Sequence, residues 1–391
     1  MRDLIAPAIL ALCLGHVFSN AVRTLPAVAV DVLTRDLGIS AETLAQVTGA
    51  FPLAFAAVMI PVGVALDRHG AWRVSQALLL AGLAGSLLGA AAQGPWTMLA
   101  AQVVLGAGCS GMLMAPITFA ARRLSAARFA LWSGLIQAVG NTGMLLSASP
   151  LALLIEHAGW RAGYLACAAI PILAIAAIRA LVPRDAPEVA PSQSASADAR
   201  EVVGLLTAAR LRGIVVFVFA SFAAVLGLRG LWGGPWLMEV KGLTRIDAGN
   251  VLLACTVALT AGPALAGAVL RRFGRPVLWL AGSHLLCAGV VLALVLGRAA
   301  PVWFDAVLFV LFGLLISFQV IGFSLVRAAV PPEKAGRALS AANLSFFLGA
   351  AVLQGLSGLA AAWGGIGAAL LTFSLALLAC TLGFLALQRR V

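Results

Sequence analysis

GVALDRHGAWR, Gly63 to Arg73, is the stretch on which the fold turns. Its middle is charged, yet an apolar run lies on either side, at roughly 42–66 and 74–93. Each run matches the ~20 residues that carry a helix across the hydrocarbon core of a bilayer. Two crossings joined by a tight basic loop are therefore the local unit, and the chain repeats it from end to end. Of its 391 residues 62% are hydrophobic and only 10% charged, with a mean hydropathy of +1.05, whereas soluble domains run about 25% charged. Runs of this length in lipid must be helices, because a helix satisfies its own backbone groups, and their continuous apolar character excludes a β-barrel.

Twelve runs are expected, at roughly 4–31, 42–66, 74–93, 96–120, 129–155, 162–182, 213–238, 246–270, 276–297, 303–327, 337–362 and 367–388. The even count puts both termini on one side. Arg23 interrupts the first run, which reads as a retained helix and not as a cleaved signal peptide. The basic residues orient the chain. With the N-terminus in the cytoplasm, nineteen of the 26 Lys+Arg fall on the cytoplasmic side, and five, Arg35, Arg161, Lys241, Arg245 and Arg298, on the other. The formal charge of +12 thus records topology and attraction to anionic headgroups, and calls for no nucleic-acid partner. The six cysteines lie within runs, without metal-type spacing, and read as small apolar residues; no metal and no cofactor is expected. Abundant arginine and alanine suggest a bacterial source and hence the inner, cytoplasmic membrane.

The expected architecture is all-α: twelve transmembrane helices in two pseudo-symmetric six-helix bundles, residues 1–182 and 211–391. A cytoplasmic linker, 183–210, joins them, and its PRDAPEVAPSQSASADAR has the composition of a flexible spacer. The halves read as repeats. LGIS (37–40) falls on KGLT (241–244) and LDRHG (66–70) on LRRFG (270–274) at an offset of 204, while ARFA (127–130) lies 209 before GRAL (336–339). Weak internal symmetry of this kind marks transporters in which two bundles rock about a site near the bilayer midplane.

The opening stretch has a glycine, an Asp-Arg pair four residues on, a glycine three after the aspartate, then a basic residue. In this it resembles the signature of the major facilitator superfamily. EHAGWRAGY (156–164) and PPEKAGRAL (331–339) are similar to two further junctions of that family. The resemblance covers the whole chain and implies a secondary transporter working by alternating access. It also implies a gate: Asp67, Arg68 and Arg73 forming a state-dependent charge cluster, with Gly63 allowing close helix approach and Gly70 part of the same gating loop. The competing reading of that loop is a helix cap with topology anchors. Two departures bear on substrate. Gln102 stands four residues before Gly106, where many members carry an arginine associated with proton coupling. Gly140-Asn141-Thr142-Gly143 replaces the Gly-Pro run of drug antiporters.

On the first span His16, Asn20 and Arg23 fall within 40° of one another around a helix. Lipid does not tolerate such a stripe, so it must face protein or a water-filled cavity. In the family that span lines the cavity, where a guanidinium suits a carboxylate or phosphate. Arg229 lies in nearly the matching place on span 7, followed by Trp232 and Trp236, an Arg-aromatic face suited to a planar anion. The alternative is that Arg23 locks the outer gate by pairing with Asp31, Glu239 or Asp305. Gln137 and Asn141 make a second stripe on span 5, able to orient a ligand or to bond between helices. His16 is the candidate proton or pH sensor.

The expected substrate is a small organic anion, and the alternative is proton-coupled efflux of drugs or amphipathic metabolites. A non-transporting receptor or assembly factor is the third reading. With no GxxxxGK[ST] run and no catalytic cluster, the chain is not expected to be an enzyme or to use a nucleotide. Its expected partners are a small-molecule substrate, the lipid bilayer and a coupling proton, and its expected state is a monomer.

Overall fold

The computed structural model describes residues 5–124, 126–184, 195–330 and 335–388, and among them there is no strand. Ten stretches among the described residues are long and apolar enough to cross a membrane. Two of these are double: Gly134–Leu181 runs 48 residues and breaks at Gly159, and Ala338–Gln388 runs 51 and breaks at Gly364 and Gly365. Divided there, the stretches give the twelve crossings of the sequence reading.

The breaks are set by local chemistry. Gly38 (φ 65°) and Gly242 (φ 71°) turn the chain through the left-handed region, where a glycine has no Cβ to clash. Two residues later a hydroxyl caps the next helix: Ser40 Oγ accepts from the Thr43 N–H at 3.2 Å and Thr244 Oγ1 from the Asp247 N–H at 3.1 Å. This is what LGIS and KGLT have in common. Gly70 (φ 75°, ψ 164°) and Gly159 (φ 79°, ψ 167°) adopt a conformation essentially confined to glycine, as do Gly274 (φ 61°, ψ −144°) and Gly365 (φ 67°, ψ −167°). All six positive-φ glycines therefore form repeat pairs, 204, 204 and 206 residues apart. The duplication is written in backbone handedness as well as in side chains.

The chain divides into two compact units. One comprises Met1–Leu25, Arg35–Ile39 and Ala50–Ala199, the other Pro26–Thr34, Ser40–Gly49 and Arg200–Val391. Within each, glycines let helices meet at backbone distance. A Cβ on Gly143 would overlap the Val17 carbonyl, and one on Gly349 would overlap the Phe219 carbonyl. Gly106 meets the Phe51 carbonyl in the same way, and Gly313 that of Cys255. Span 5 thus crosses span 1 as span 11 crosses span 7, and span 4 crosses span 2 as span 10 crosses span 8.

Span 7 departs from its counterpart. From Val17 to Gly38 is 21 residues, but from Phe219 to Gly242 is 23. Span 7 contains two π-helical turns, Leu228–Trp232 and Trp236–Val240. Each i→i+5 turn houses one residue more than an α turn, so two such turns absorb the two extra residues.

The linker also differs from expectation. Residues 185–194 lie outside the described residues, but Ala195–Thr207 forms a helix of 13 residues. Its ASADAREVVGLLT is rich in the strong helix formers Ala, Leu and Glu, which outweigh the spacer-like composition of the segment before it.

Candidate functional site

The stripe on the first span is built as its periodicity requires. His16 and Asn20 are buried, at 3% and 0% exposure, while Arg23 keeps some surface. Asn20 Nδ2 donates to the Gly140 carbonyl at 2.8 Å and lies 3.4 Å from His16 Nε2. The His16 ring rests against Gly140, where a Cβ would overlap it. Farther along, Thr24 shares a hydrogen bond with Ser147. Span 1 is thus keyed to span 5 by polar groups. His16 Nδ1 and Asn20 Oδ1 are buried and have no hydrogen-bond partner among the described residues. On span 5 Gln137 is exposed and Asn141 buried, with Gln137 Nε2 3.4 Å from Asn141 Oδ1.

In the second unit Arg229 is fully buried, and its Nε donates to Thr256 Oγ1 at 2.6 Å. Trp232 donates its indole N–H to Ser357 Oγ at 2.9 Å, and Trp236 donates to Asp305 Oδ1 at 2.7 Å. Both rings are 1% exposed, so span 7 does not present an open Arg-aromatic face in this structure. Its donors are directed to spans 8, 11 and 10. The two arginines do not match in depth either. Counted from the crossing carbonyl of its own repeat, Arg23 lies six residues on and Arg229 ten, a difference of about one helical turn.

Two of the acids that could have neutralised Arg23 are engaged elsewhere. Arg245 holds Asp31 in a bidentate pair, at 2.8 and 2.6 Å, and also donates to the Val28 carbonyl. Asp305, fully buried, takes Lys241 at 2.8 Å besides Trp236. Lys241 donates further to the carbonyls of Gly297 and Ala300, at 3.0 and 2.9 Å.

A related clasp in the first unit has no signal in the spacing. Asp36 accepts the Trp160 indole N–H at 2.9 Å, and Arg161, 3.7 Å from Asp36, also donates to the Ala92 carbonyl at 3.1 Å. Donation from Trp160, helped by Arg35 and Arg161, holds the Asp36 carboxyl below the usual carboxylate range. Ala92 and Gly297 are 205 residues apart, so the same carbonyl is capped by a cation in each repeat.

Of the gate residues, the side chain of Asp67 lies outside the described residues; Arg68 is half-buried and Arg73 exposed. Gly70 is the conformational break already described. A Cβ on Gly63 would meet nothing within 4 Å, so the close approach expected there is made instead at Gly106 and Gly143. Gln102 donates to the Tyr164 hydroxyl at 3.0 Å, a neutral contact. His284 is held by its neighbours. Its Nδ1–H donates to the Leu280 carbonyl at 3.0 Å, which leaves Nε2 to accept from the Ser221 hydroxyl at 2.7 Å. The described cysteines are free thiols, and no cluster of three or more His, Cys, Asp or Glu side chains placed to hold a metal ion occurs among the described residues.

Membrane-spanning helices whose polar groups turn inward, arranged as two repeats, define a polytopic carrier. The chain belongs to the Major Facilitator Superfamily, whose profile matches residues 12–352. It is a transporter of that superfamily, acting on small molecules within the membrane. It is 25% identical over 416 residues to the tetracenomycin C resistance and export protein of Streptomyces glaucescens, covering 89% of this chain and 75% of the relative. The multidrug efflux pump LfrA of Mycolicibacterium smegmatis is also 25% identical, over 398 residues, covering 84% of this chain and 75% of the pump. Among solved structures, a variant of the nucleoside transporter NupG superposes with a TM-score of 0.79 at 13% identity, covering 98% of this chain and 99% of the other, a likeness of fold.

Proposed function

We propose that this transporter exports amphipathic organic compounds by alternating access, with no enzymatic chemistry of its own. The observation that carries this reading is the pair of relatives named for export and efflux, which align with 89% and 84% of the chain. The setting that fits is the bacterial cytoplasmic membrane, with both termini inside, a single chain as the working unit and bundles at 1–182 and 211–391. A proton is the coupling ion that suits export, and His16, buried with no partner for its Nδ1 among the described residues, is the group proposed to carry it.

A second reading, transport of a small organic anion, is favoured by a specific observation. Asp31 and Asp305 are already bonded to other groups, while Arg23 retains surface within a buried polar stripe. We assign Arg23 and Gln137, which keep surface, to substrate contact under either reading, with the buried Asn20 and Asn141 holding the stripe behind them. Arg229, Trp232 and Trp236 would reach a substrate only by exchanging the bonds described above.

Expression in a bacterial host stripped of its own efflux pumps separates the two. Export of amphipathic compounds predicts a several-fold rise in the inhibitory concentration of planar, partly apolar antibiotics, and less accumulation of a fluorescent dye. Unchanged susceptibility, together with saturable uptake of a small carboxylate or phosphate ester into proteoliposomes, would replace the first reading with the second.

A further inference from the structure

We propose that the first unit carries a binding site for the phosphate diester of an anionic phospholipid, built at the ends of spans 3 and 6 from Trp72, Gln76, Arg179 and Arg184. All four residues lie within that unit. Trp72 and Gln76 are one turn apart on one face of span 3, and Arg179 and Arg184 stand at the end of span 6 and just beyond it.

Two buried donors here lack an acceptor among the described residues. Arg179 Nε donates to Gln76 Oε1 at 2.9 Å. Because a guanidinium can only donate, this bond fixes the amide with its oxygen toward Arg179 and its NH2 away from it. Gln76 is only 7% exposed, and its Nε2 has no hydrogen-bond partner among the described residues. The indole Nε1 of Trp72 is likewise buried and without a partner among them. Buried N–H groups are rarely left so, because burial strips them of water with nothing in return. The Arg184 guanidinium lies 5.0 Å from the Trp72 ring centroid, and both arginines are exposed.

Spans 3 and 6 contain no aspartate or glutamate. An acceptor from outside them that carries negative charge and offers more than one oxygen would satisfy both donors and both guanidiniums. A phosphate diester does so, and a guanidinium grips it with two parallel bonds. Its position favours a lipid over a free ion. The site lies at the end of two membrane spans, on the side rich in arginine, where an indole sits at headgroup depth. Two guanidiniums also repel the ammonium of a zwitterionic headgroup, so an anionic headgroup is selected.

The test is thermal unfolding of the purified full chain in mild detergent. It is titrated in turn with dioleoylphosphatidylglycerol, dioleoylphosphatidylcholine and sodium phosphate, since a ligand of the folded state raises its apparent stability. Phosphatidylglycerol should raise the Tm, and the other two should not at equal concentration. Arg184→Gln should shift half-saturation by roughly tenfold, the loss of one charge-assisted bond. Trp72→Phe keeps the ring and removes only the N–H, and should shift it by roughly threefold. Arg122→Gln, an exposed arginine on another span, should change nothing. Equal stabilisation by phosphatidylcholine, or equal loss in Arg122→Gln, would reduce the effect to surface charge and overturn the site. A matching rise with sodium phosphate alone would overturn the lipid assignment. If the parent does not respond to phosphatidylglycerol but the Asp185→Asn, Glu188→Gln double variant does, the natural occupant is the chain's own linker and the proposal is wrong.

Discussion

Arg23 and Arg229 look alike in the sequence and differ in the folded chain. Arg229 is fully enclosed and bonded to Thr256, whereas Arg23 ends a buried stripe with part of its surface open. Arg23→Lys should therefore weaken binding of an anionic substrate about tenfold and leave the Tm unchanged, while Arg229→Lys should lower stability by ~1.5–3 kcal/mol through its bond to Thr256. Ligand titration and thermal unfolding of the two variants distinguish these outcomes, and equal effects on both readouts would contradict them. Asp36 allows a pH test. Its carboxyl is held below the ordinary value by the Trp160 N–H and then by Arg35 and Arg161, so it stabilises the fold fully above the free carboxyl's pKa of about 4. That contribution is lost as the pH falls through the lower folded value. Melting temperatures of the parent and Asp36→Asn should converge as the pH drops below about 4 and diverge above it. The stripe on span 1 was legible because its 3.6-residue period places His16, Asn20 and Arg23 on one face. What Asn20 bonds to was not, since a backbone carbonyl such as that of Gly140 leaves no mark in side-chain spacing.

The two glycines of the signature loop do different work. Gly70 holds a backbone conformation that other residues essentially do not adopt, and Gly63 sits in open space on a regular helix. Gly70→Ala should cost ~1–3 kcal/mol of stability, whereas Gly63→Ala should be neutral or slightly stabilising. Expression yield and thermal unfolding of the pair check this, and a neutral Gly70→Ala would show that the break does not depend on its glycine. The crossings were legible because apolar length is a direct record of bilayer thickness, and the breaks at Gly159 and Gly365 fell between predicted spans. The π turns of span 7 were not legible. LRGLWGGPW reads as one apolar run, and the partners of Trp232 and Trp236 lie 125 and 69 residues away, beyond any local pattern. The linker helix was hidden for the opposite reason: Ala195–Thr207 adjoins a Pro- and Ser-rich stretch whose composition dominated the reading.

For the whole chain, the distribution of arginine predicts which loops face outward. The native cysteines are poorly accessible, and only Cys380 is less than buried. In a Cys380→Ala background, Arg298→Cys should react in intact cells with a membrane-impermeant maleimide, and Arg128→Cys only after lysis. The reverse pattern would invert the topology. Three short sequence matches were enough to show a duplication, but the full correspondence came from geometry. The handedness pairs, the crossing glycines and the doubly capped carbonyl survive where side-chain identity does not. That carbonyl has a consequence for how the halves diverge. In the first unit the cation reaches it from the start of span 6, with its acid on the short helix after span 1; in the second the cation is on the turn after span 7 and its acid is in span 10. The two halves share the backbone atom to be neutralised but not the element that neutralises it, so either clasp can change without its twin.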